Sequence, residues 1–309
     1  MSSRNITNIS ASVRAKLLNK ARESKRPFTE LLQYFAMERF LYRLSISQHS
    51  QKFVLKGALM FTAWEFCEHR ATMDIDMLAK TSNSADNLIT ALQDICELQP
   101  DIDDGIIFDS SSVSGKESQA NREYSGVQLK FNGELNKARI QMKVDVGFGD
   151  VISPSPSLIK YPSILQFPSP MLKGYTAETV IAEKFETIVS RGTDNSRMKD
   201  FYDIWTLQRQ MDFKGSSLLE AISKTFSNRQ TKLDKDSIND LKFLGENEEK
   251  GKQWEHFIRK NQFDSQIPNF KNVVVAISLF LAPLVTAANK GANLPNRWDS
   301  SKAWSLDKY

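Results

Sequence analysis

Cysteine and histidine are scarce in this chain of 309 residues, which has two cysteines and three histidines. Cys67 and Cys96 are too few for a disulfide framework and lack the paired spacing of a thiolate metal site. The histidines, also without ligand spacing, are interpreted as ordinary surface or core residues: His49, His69 and His256. The chemistry of this chain is therefore expected to come from oxygen and amine side chains.

Long apolar runs are also lacking. The longest, residues 273–285, is shorter than the roughly 20 residues that a membrane-spanning helix needs, and it contains Pro283. Residues 1–9 lack the apolar core of a secretory signal. The chain is long enough for two domains, and 40% of its residues are hydrophobic and 25% charged, as in globular proteins. We therefore expect a cytoplasmic protein with no membrane association.

The excess of positive charge is small, since 41 basic and 37 acidic residues give a net charge of +4. This balance permits a nucleic-acid partner without requiring one. The basic side chains are densest in a helical stretch near the N-terminus, which holds Arg14, Lys16, Lys20, Arg22, Lys25 and Arg26. They form either a solvated helix face or a surface that contacts RNA.

The most informative segment, residues 53–79, ends in a predicted strand with two aspartates. Asp74 and Asp76 are separated by Ile75, so both carboxylates should share one face of the strand while Ile75 enters the core. Two carboxylates that close repel each other, and a divalent cation makes the arrangement favourable. Oxygen ligands of this kind favour Mg²⁺ or Mn²⁺ over zinc.

A third aspartate, Asp145, ends a second alternating run at residues 139–146 and precedes a breaker-rich stretch. If this strand lies beside the strand of Asp74 and Asp76, three carboxylates converge. Such a set can hold two metal ions that activate an attacking oxygen and neutralise a departing pyrophosphate. The alternative is that each aspartate ends a strand only as a turn former.

Lys56 and Gly57 form a predicted turn between a strand at 53–55 and a helix at 58–67. Backbone N–H groups at a helix start, next to a glycine that allows close approach, can bind a phosphate, and Lys56 would add positive charge. A Lys-Gly pair also occurs in many plain turns, so its position upstream of the aspartates is what gives it meaning.

Helices dominate the rest of the predicted secondary structure. Ser12 and Thr29 are expected to cap helices that end near 22 and 44, and residues 110–118, rich in serine, are expected to form a hairpin loop. Prolines between 154 and 170 mark an extended connector, and the polar tail from Asn289 is expected to be mobile. The other predicted elements are a strand at 73–79, short strands at 106–108 and 127–131, and helices at 84–98, 177–191, 199–210, 216–226, 235–244, 248–261 and 269–288.

The order Lys-Gly, helix, Arg-x-Thr-x-Asp-x-Asp and distant strand aspartate resembles the DNA polymerase β superfamily of nucleotidyltransferases. More narrowly, the chain is similar to the AbiEii/AbiGii toxin family across approximately residues 11–210. The narrower resemblance is carried by residues 39–45, 145–150, 178–185 and 195–203. Ala58 is a departure, because the superfamily often has Gly or Ser there, and a hydroxyl contact to the triphosphate is therefore missing.

The resemblance implies an α/β (α+β) fold in which a polymerase β-like nucleotidyltransferase core with a small mixed sheet precedes a helical C-terminal domain. We expect N-terminal helices packing on the core at 1–50, the core at 51–170 and the helical domain at 171–309. It also implies that Asp74, Asp76 and Asp145 bind Mg²⁺ or Mn²⁺ and act in catalysis. In the same pattern Lys56 and Gly57 receive the triphosphate, while Arg70 and Thr72 shape the entry to the Asp strand.

The implied activity is transfer of a nucleoside monophosphate from an NTP to a hydroxyl, with release of pyrophosphate. The family further implies a growth-inhibiting toxin of a toxin-antitoxin or phage-defence system, with a cognate antitoxin protein as partner and the 3′ end of tRNA as acceptor. Other interpretations remain open: a nucleotide-sensing module without turnover, a nucleic-acid-binding protein whose acids are structural, and transfer of an NMP or phosphoryl group to a protein.

A lysine on an apolar helix stripe is the last candidate. Lys184 lies between Ile181 and Ile188, so it snorkels, pairs with a carboxylate or faces a cleft. The resemblance favours the cleft, with Lys184 binding nucleotide phosphates. On a helical projection Asp200 flanks the apolar arc and Asp203 falls on the outer face. Both match the family pattern, in which one would orient Lys184 or act as a base, although an acid in the first turn is also favoured by the helix dipole.

Overall fold

The structure is a computed structural model that describes residues 8–66, 71–80, 84–121, 124–263, 266–290, 294–300 and 303–305, without the side chains of 118–121, 124–125 and 290. The chain divides into two compact units. Unit 1 comprises Met1–Gly149 and Ser157–Gly174, and unit 2 comprises Asp150–Pro156 and Tyr175–Tyr309. The predicted division at 1–50, 51–170 and 171–309 stays a prediction. Arg70, Cys67 and His69 lie outside the described residues.

Unit 1 is built on a mixed sheet of seven strands. The strands are β1 (Phe53–Lys56), β2 (Ile75–Ala79), β3 (Ile106–Asn121), β4 (Tyr124–Leu135), β5 (Ala138–Gly147), β6 (Ser157–Lys160) and β7 (Met171–Gly174), and the helices are α1 (Ile9–Ser24), α2 (Phe28–Ile46), α3 (Leu59–Ala63) and α4 (Ala85–Glu97). The strand order is β3-β4-β5-β2-β1-β7-β6. The β2–β5 and β1–β7 pairs are parallel, and the other neighbours are antiparallel.

Helix α2 forms much of the core of unit 1, and its charged residues are structural. Arg43 donates to both carboxylate oxygens of Asp104, at 2.8 and 3.0 Å. Glu38 accepts hydrogen bonds from Ser163 and from the backbone N–H of Ile164, both at 2.8 Å. Burial raises the pKa of Glu38 although the neighbouring Arg39 opposes the shift. Buried charges need such partners, so part of the family motif at residues 39–45 stabilises the fold.

Unit 2 is mainly helical, as the sequence predicts for this part of the chain. Its described helices are α5 (Ala177–Arg191), α6 (Met198–Gln210), α7 (Gly215–Asn228), α8 (Lys235–Gly245), α9 (Glu248–Lys260) and α10 (Phe270–Lys290), and its strands are β8 (Phe213–Lys214), β9 (Arg297–Asp299) and β10 (Ala303–Ser305). A mixed sheet followed by a helical C-terminal unit confirms the predicted fold class.

Several local predictions were wrong. The serine-rich stretch 110–118 belongs to β3, where a register shift between Asp109 and Ser114 accommodates it while Val113 turns inward. Within the proline-rich connector, β6 pairs with β7 at the edge of the sheet. In the described residues of the tail after 290, which are 294–300 and 303–305, β9 pairs with β10 and Trp298 lies in the core; the rest of the tail lies outside the described residues. In each case long-range pairing outweighs a local preference for turns.

The two N-terminal helices begin earlier than predicted. Asn8, rather than Ser12, caps α1 by accepting a hydrogen bond from the Ala11 N–H at 2.9 Å. Helix α2 starts at Phe28 after Pro27, so Thr29 is already inside it. Asn is as good an N-cap as Ser, and a proline fits the non-helical backbone of that position.

Among the described residues, one segment, Phe270–Asn289 of α10, has the length and apolar composition of a membrane span. About half of its most apolar window, 56%, is buried inside the protein. It packs against α6, α7, α8 and α9. An apolar helix enclosed in this way is typical of the centre of a globular domain.

Candidate active site

The predicted carboxylates meet on one face of the unit 1 sheet because of its strand register. The parallel pairing of β2 with β5 places Asp76 opposite Asp145, and the antiparallel pairing of β1 with β2 places Lys56 opposite Asp76. Residues opposite each other on adjacent strands point to the same face, with about 4.8 Å between neighbouring strands. Lys56, Asp76 and Asp145 therefore form a continuous row across three strands.

Asp74 lies just before β2 and joins this row through a lysine that the sequence reasoning missed. Lys143 Nζ lies 2.9 Å from Asp74 Oδ2 and 3.1 Å from Asp145 Oδ2. Burial works to lower the pKa of Lys143, but its hydrogen bonds to the two carboxylates outweigh this, so the pKa is raised above its ordinary value. Asp74 and Asp145 thus already share one positive charge.

Gln128 is a second residue that the sequence reasoning missed. It lies opposite Asp145 in the β4–β5 register and donates to Asp145 Oδ1 from Nε2 at 3.0 Å. Alternation along β5 could have identified Lys143, which lies two residues before Asp145 on the same face. No local signal could have identified Gln128, because its place depends on the pairing of two strands.

The position of the Asp76 carboxylate requires a glycine at residue 57. Its φ is +71°, and a Cβ at this position would lie 2.6 Å from the Asp76 carboxyl carbon and closer still to Oδ2. The turn therefore needs glycine both for its backbone conformation and for the approach of Asp76. Helix α3, expected at 58–67, has five residues. Its dipole is correspondingly small, so any phosphate at this turn would depend on Lys56 and on backbone N–H groups.

The segment before β2 is tied to helix α2. The Thr72 N–H donates to the Tyr34 hydroxyl at 3.1 Å, and the Thr72 hydroxyl donates to the Asp74 carbonyl oxygen at 3.3 Å. Gln33 donates to the Met73 carbonyl oxygen at 3.3 Å. Thr72 therefore lies where it can fix the entry to the Asp strand.

In unit 2, Lys184 pairs with both predicted aspartates. Its Nζ lies 2.8 Å from Asp200 Oδ1 and 2.7 Å from Asp203 Oδ2, and Arg197 Nε lies 2.7 Å from Asp200 Oδ2. The expected outer-face position of Asp203 was wrong: it is 1% exposed, like Asp200. Helix α6 packs against α5, α9 and α10, so even its polar positions are enclosed.

The electrostatics of this cluster favour an orienting role for Asp200. Burial would raise its pKa, but the charges of Lys184 and Arg197 outweigh burial and hold the pKa well below its ordinary value. A carboxylate with a lowered pKa is a weak base at neutral pH. Ion pairing with Asp200 and Asp203 also explains how Lys184 lies on an apolar stripe.

This cluster predicts a specific acid sensitivity. Because the pKa of Asp200 is lower in the folded than in the unfolded chain, its stabilising contribution is present above about pH 4 and is lost as the pH falls further. The free energy of unfolding of the Asp200→Asn variant should therefore fall less steeply than that of the wild type below about pH 4. Urea denaturation at several pH values measures this.

Asp212→Asn is the matched control, because hydrogen bonds from Ser300 and Arg297 also lower the pKa of Asp212, but its side chain is exposed. It should leave the acid slope nearly unchanged, since exposed ion pairs contribute little. Equal slopes for the wild type and Asp200→Asn would contradict the assignment.

A second buried network in unit 2 involves residues of the family motifs. Arg229 pairs with Asp150 at 2.8 Å, with Glu186 at 2.7 Å and with Glu183 at 3.7 Å. Burial alone would lower the pKa of Arg229, but these acids raise it. Asp150 and Glu183 thus have a structural partner that the sequence reasoning did not identify.

In the part of the chain that the structure describes, no three His, Cys, Asp or Glu side chains form a ready-made cation site. The carboxylates of Asp74 and Asp145 are instead bridged by Lys143. Asp76 and Asp145 lie opposite each other on neighbouring strands, whereas Asp74, predicted on the strand, lies just before it. Metal binding by the three carboxylates stays a prediction.

The chain is similar to a known protein family and to solved structures. The family model described as "Nucleotidyl transferase AbiEii toxin, Type IV TA system" matches residues 39–276. The solved structure of JHP933 from Helicobacter pylori is similar at a TM-score of 0.49 and 13% identity, covering 85% of this chain and 94% of that one. The solved structure of a candidate nucleotidyltransferase from H. pylori is similar at a TM-score of 0.47 and 14% identity, covering 84% of this chain and 96% of that one. No curated protein matches the chain.

Proposed function

This chain belongs to the AbiEii nucleotidyltransferase toxin family, and from that premise we propose that it transfers a nucleoside monophosphate from an NTP to a hydroxyl group and releases pyrophosphate. The observation that carries the proposal is the row of Lys56, Asp76 and Asp145 across three strands. It places acidic oxygen ligands beside a basic side chain on three central strands of the sheet, as transfer of a charged phosphoryl group requires.

The residues fit a divalent cation. Two of the carboxylates already hold one positive charge between them, and the third lies opposite Asp145. Asp74, Asp76 and Asp145 would hold Mg²⁺ or Mn²⁺, which prefer such oxygen ligands. When bound, the ion supplies charge neutralisation for the leaving pyrophosphate and activation of the attacking hydroxyl.

The surrounding residues have supporting roles in this proposal. Lys56 attracts the triphosphate, and Gly57 leaves room for the Asp76 carboxylate and for a phosphate beside it. Gln128 orients Asp145 through its hydrogen bond to Oδ1. Thr72, held by Tyr34, fixes the approach to Asp74. Catalytic roles for Arg70, Lys184, Asp200 and Asp203 stay predictions from the sequence.

The family implies a toxin that acts on an NTP and is countered by an antitoxin. We propose that the acceptor is RNA, with the 3′ end of tRNA as the specific site, and that the reaction takes place in the cytoplasm as part of phage defence. The support for RNA is the mildly basic balance of the chain, with a net charge of +4. The choice of tRNA rests on family membership.

The test is incubation of the purified chain with each labelled NTP, total RNA and Mg²⁺, followed by intact-mass analysis of RNA and protein. We expect label on RNA, a mass increase of one or more nucleotides and stoichiometric pyrophosphate, all abolished by EDTA. Label on protein alone would identify a protein acceptor instead. Thermal stabilisation by NTP without pyrophosphate release would show a sensor, and RNA binding unaffected by metal or NTP would show a binding protein with structural acids.

A further inference from the structure

We propose that Lys143 is a built-in counter-cation: its ammonium takes the place of a divalent ion between Asp74 and Asp145, so that metal binding must displace it. The inference rests on the proposed function, since it concerns the same carboxylates. It assigns Lys143 a positioning role that makes cation binding weaker and the metal-free chain more stable.

The geometry of the ammonium carries the proposal. Lys143 Nζ is within 2.9 Å of one carboxylate and 3.1 Å of the other. If Asp74 and Asp145 were to hold Mg²⁺ through the same carboxylates, the ion would need the point between them that the ammonium now fills. Two cations cannot occupy that point, and even a displaced ammonium would repel the metal from close by. Lys143 and a metal ion therefore compete for the same place between the Asp74 and Asp145 carboxylates.

The three side chains are exposed enough for a metal ion to replace the Lys143 ammonium. Lys143, Asp74 and Asp145 are 29%, 40% and 36% exposed, so the site is open to solvent and to an incoming ion. Lysine suits the role because it has a flexible four-carbon stem and a compact charge, whereas arginine would hold carboxylates in a fixed planar geometry. Without any cation, Asp74 and Asp145 would face each other with uncompensated negative charge.

The experiment compares wild type with Lys143→Met in the absence of NTP. Mn²⁺ binding is measured by calorimetry, and the melting temperature is measured in EDTA and in saturating Mn²⁺. We expect the variant to bind Mn²⁺ roughly five- to tenfold more tightly, because it loses two partly exposed ion pairs that compete with the metal. In EDTA, the melting temperature of Lys143→Met should be lower than that of the wild type. In saturating Mn²⁺, the two melting temperatures should be nearly equal.

Lys130→Met is the matched control. Lys130 is the cross-strand partner of Lys143 on β4 and is exposed, so the change removes the same charge from the same face of the sheet. It should leave Mn²⁺ affinity within about twofold of the wild type, since an exposed charge interacts only weakly through solvent. Lys143→Gln serves as a second variant if the methionine variant does not fold.

Three results would overturn the inference. Unchanged Mn²⁺ affinity with a lower melting temperature in both EDTA and Mn²⁺ would show that Lys143 only stabilises the fold. Weaker Mn²⁺ binding by the variant would show that Lys143 prepares the carboxylates for the metal. If the wild type itself binds no Mn²⁺, both this inference and the metal-dependent function fail, whereas the first two results leave the function intact.

Discussion

Replacing Asp76 with asparagine should lower the rate of nucleotide transfer by roughly 10²- to 10³-fold, the loss typical when one group that stabilises transition-state charge is removed. Asp76 is at the centre of the carboxylate row, with Lys56 on one side and Asp145 on the other. Asparagine keeps the shape of the side chain but removes the negative charge that a metal ion needs. The rate is measured as labelled nucleotide incorporated into RNA per minute at saturating NTP and Mg²⁺.

The control for this prediction is Asp101→Asn, the same substitution at an exposed position in unit 1. It should transfer nucleotide at the wild-type rate. Asp76→Asn should also keep the wild-type fold, as measured by circular dichroism, because asparagine has nearly the same shape as aspartate. Equal labelling by Asp76→Asn and the wild type would rule the mechanism out.

Replacing Gly57 with alanine should also lower the rate of nucleotide transfer, but through a steric clash instead of a lost charge. The added methyl group would overlap the Asp76 carboxylate and force it out of the row. Displacement of a reacting group by about 1 Å can cost roughly 10²-fold in rate. The positive φ of +71° adds a backbone cost, expected to lower the free energy of unfolding by about 1–2 kcal/mol. Transfer assays and urea denaturation measure the two effects separately.

Gly149→Ala distinguishes the methyl overlap from the backbone cost. Gly149 also lies in unit 1 and has a φ of +77°, but an added Cβ there would meet no atom within 4 Å. The free energy of unfolding of Gly149→Ala should fall by about as much as the backbone cost in Gly57→Ala. The transfer rate of Gly149→Ala should stay close to that of the wild type. If both alanine variants lose activity equally, the contact between Gly57 and Asp76 has no special importance for the site.

The sequence predicted the candidate site because its parts are local. The alternation around Ile75 and the Lys-Gly turn are short-range patterns, and both agree with the strands and the positive φ that the structure shows. Residues 110–118 were misassigned because serine favours turns in isolation, yet Ser114 to Ser118 pair with β4 and residues 110–113 lie in a register shift within the same strand. Asp203 was misassigned because a helical projection assumes one solvated face, and α6 has neighbours on several sides.

The sequence by itself determined the chemical groups of this protein: carboxylates on strands, a lysine before a glycine turn, and apolar patterns that make a sheet and then helices. Only the tertiary structure decided which strands are neighbours. The register of β2 with β5 places Asp76 opposite Asp145, and Lys143 bridges Asp74 and Asp145. The physical reason is that alternation follows from backbone geometry within one strand, whereas register depends on burying hydrophobic faces of segments far apart in the chain.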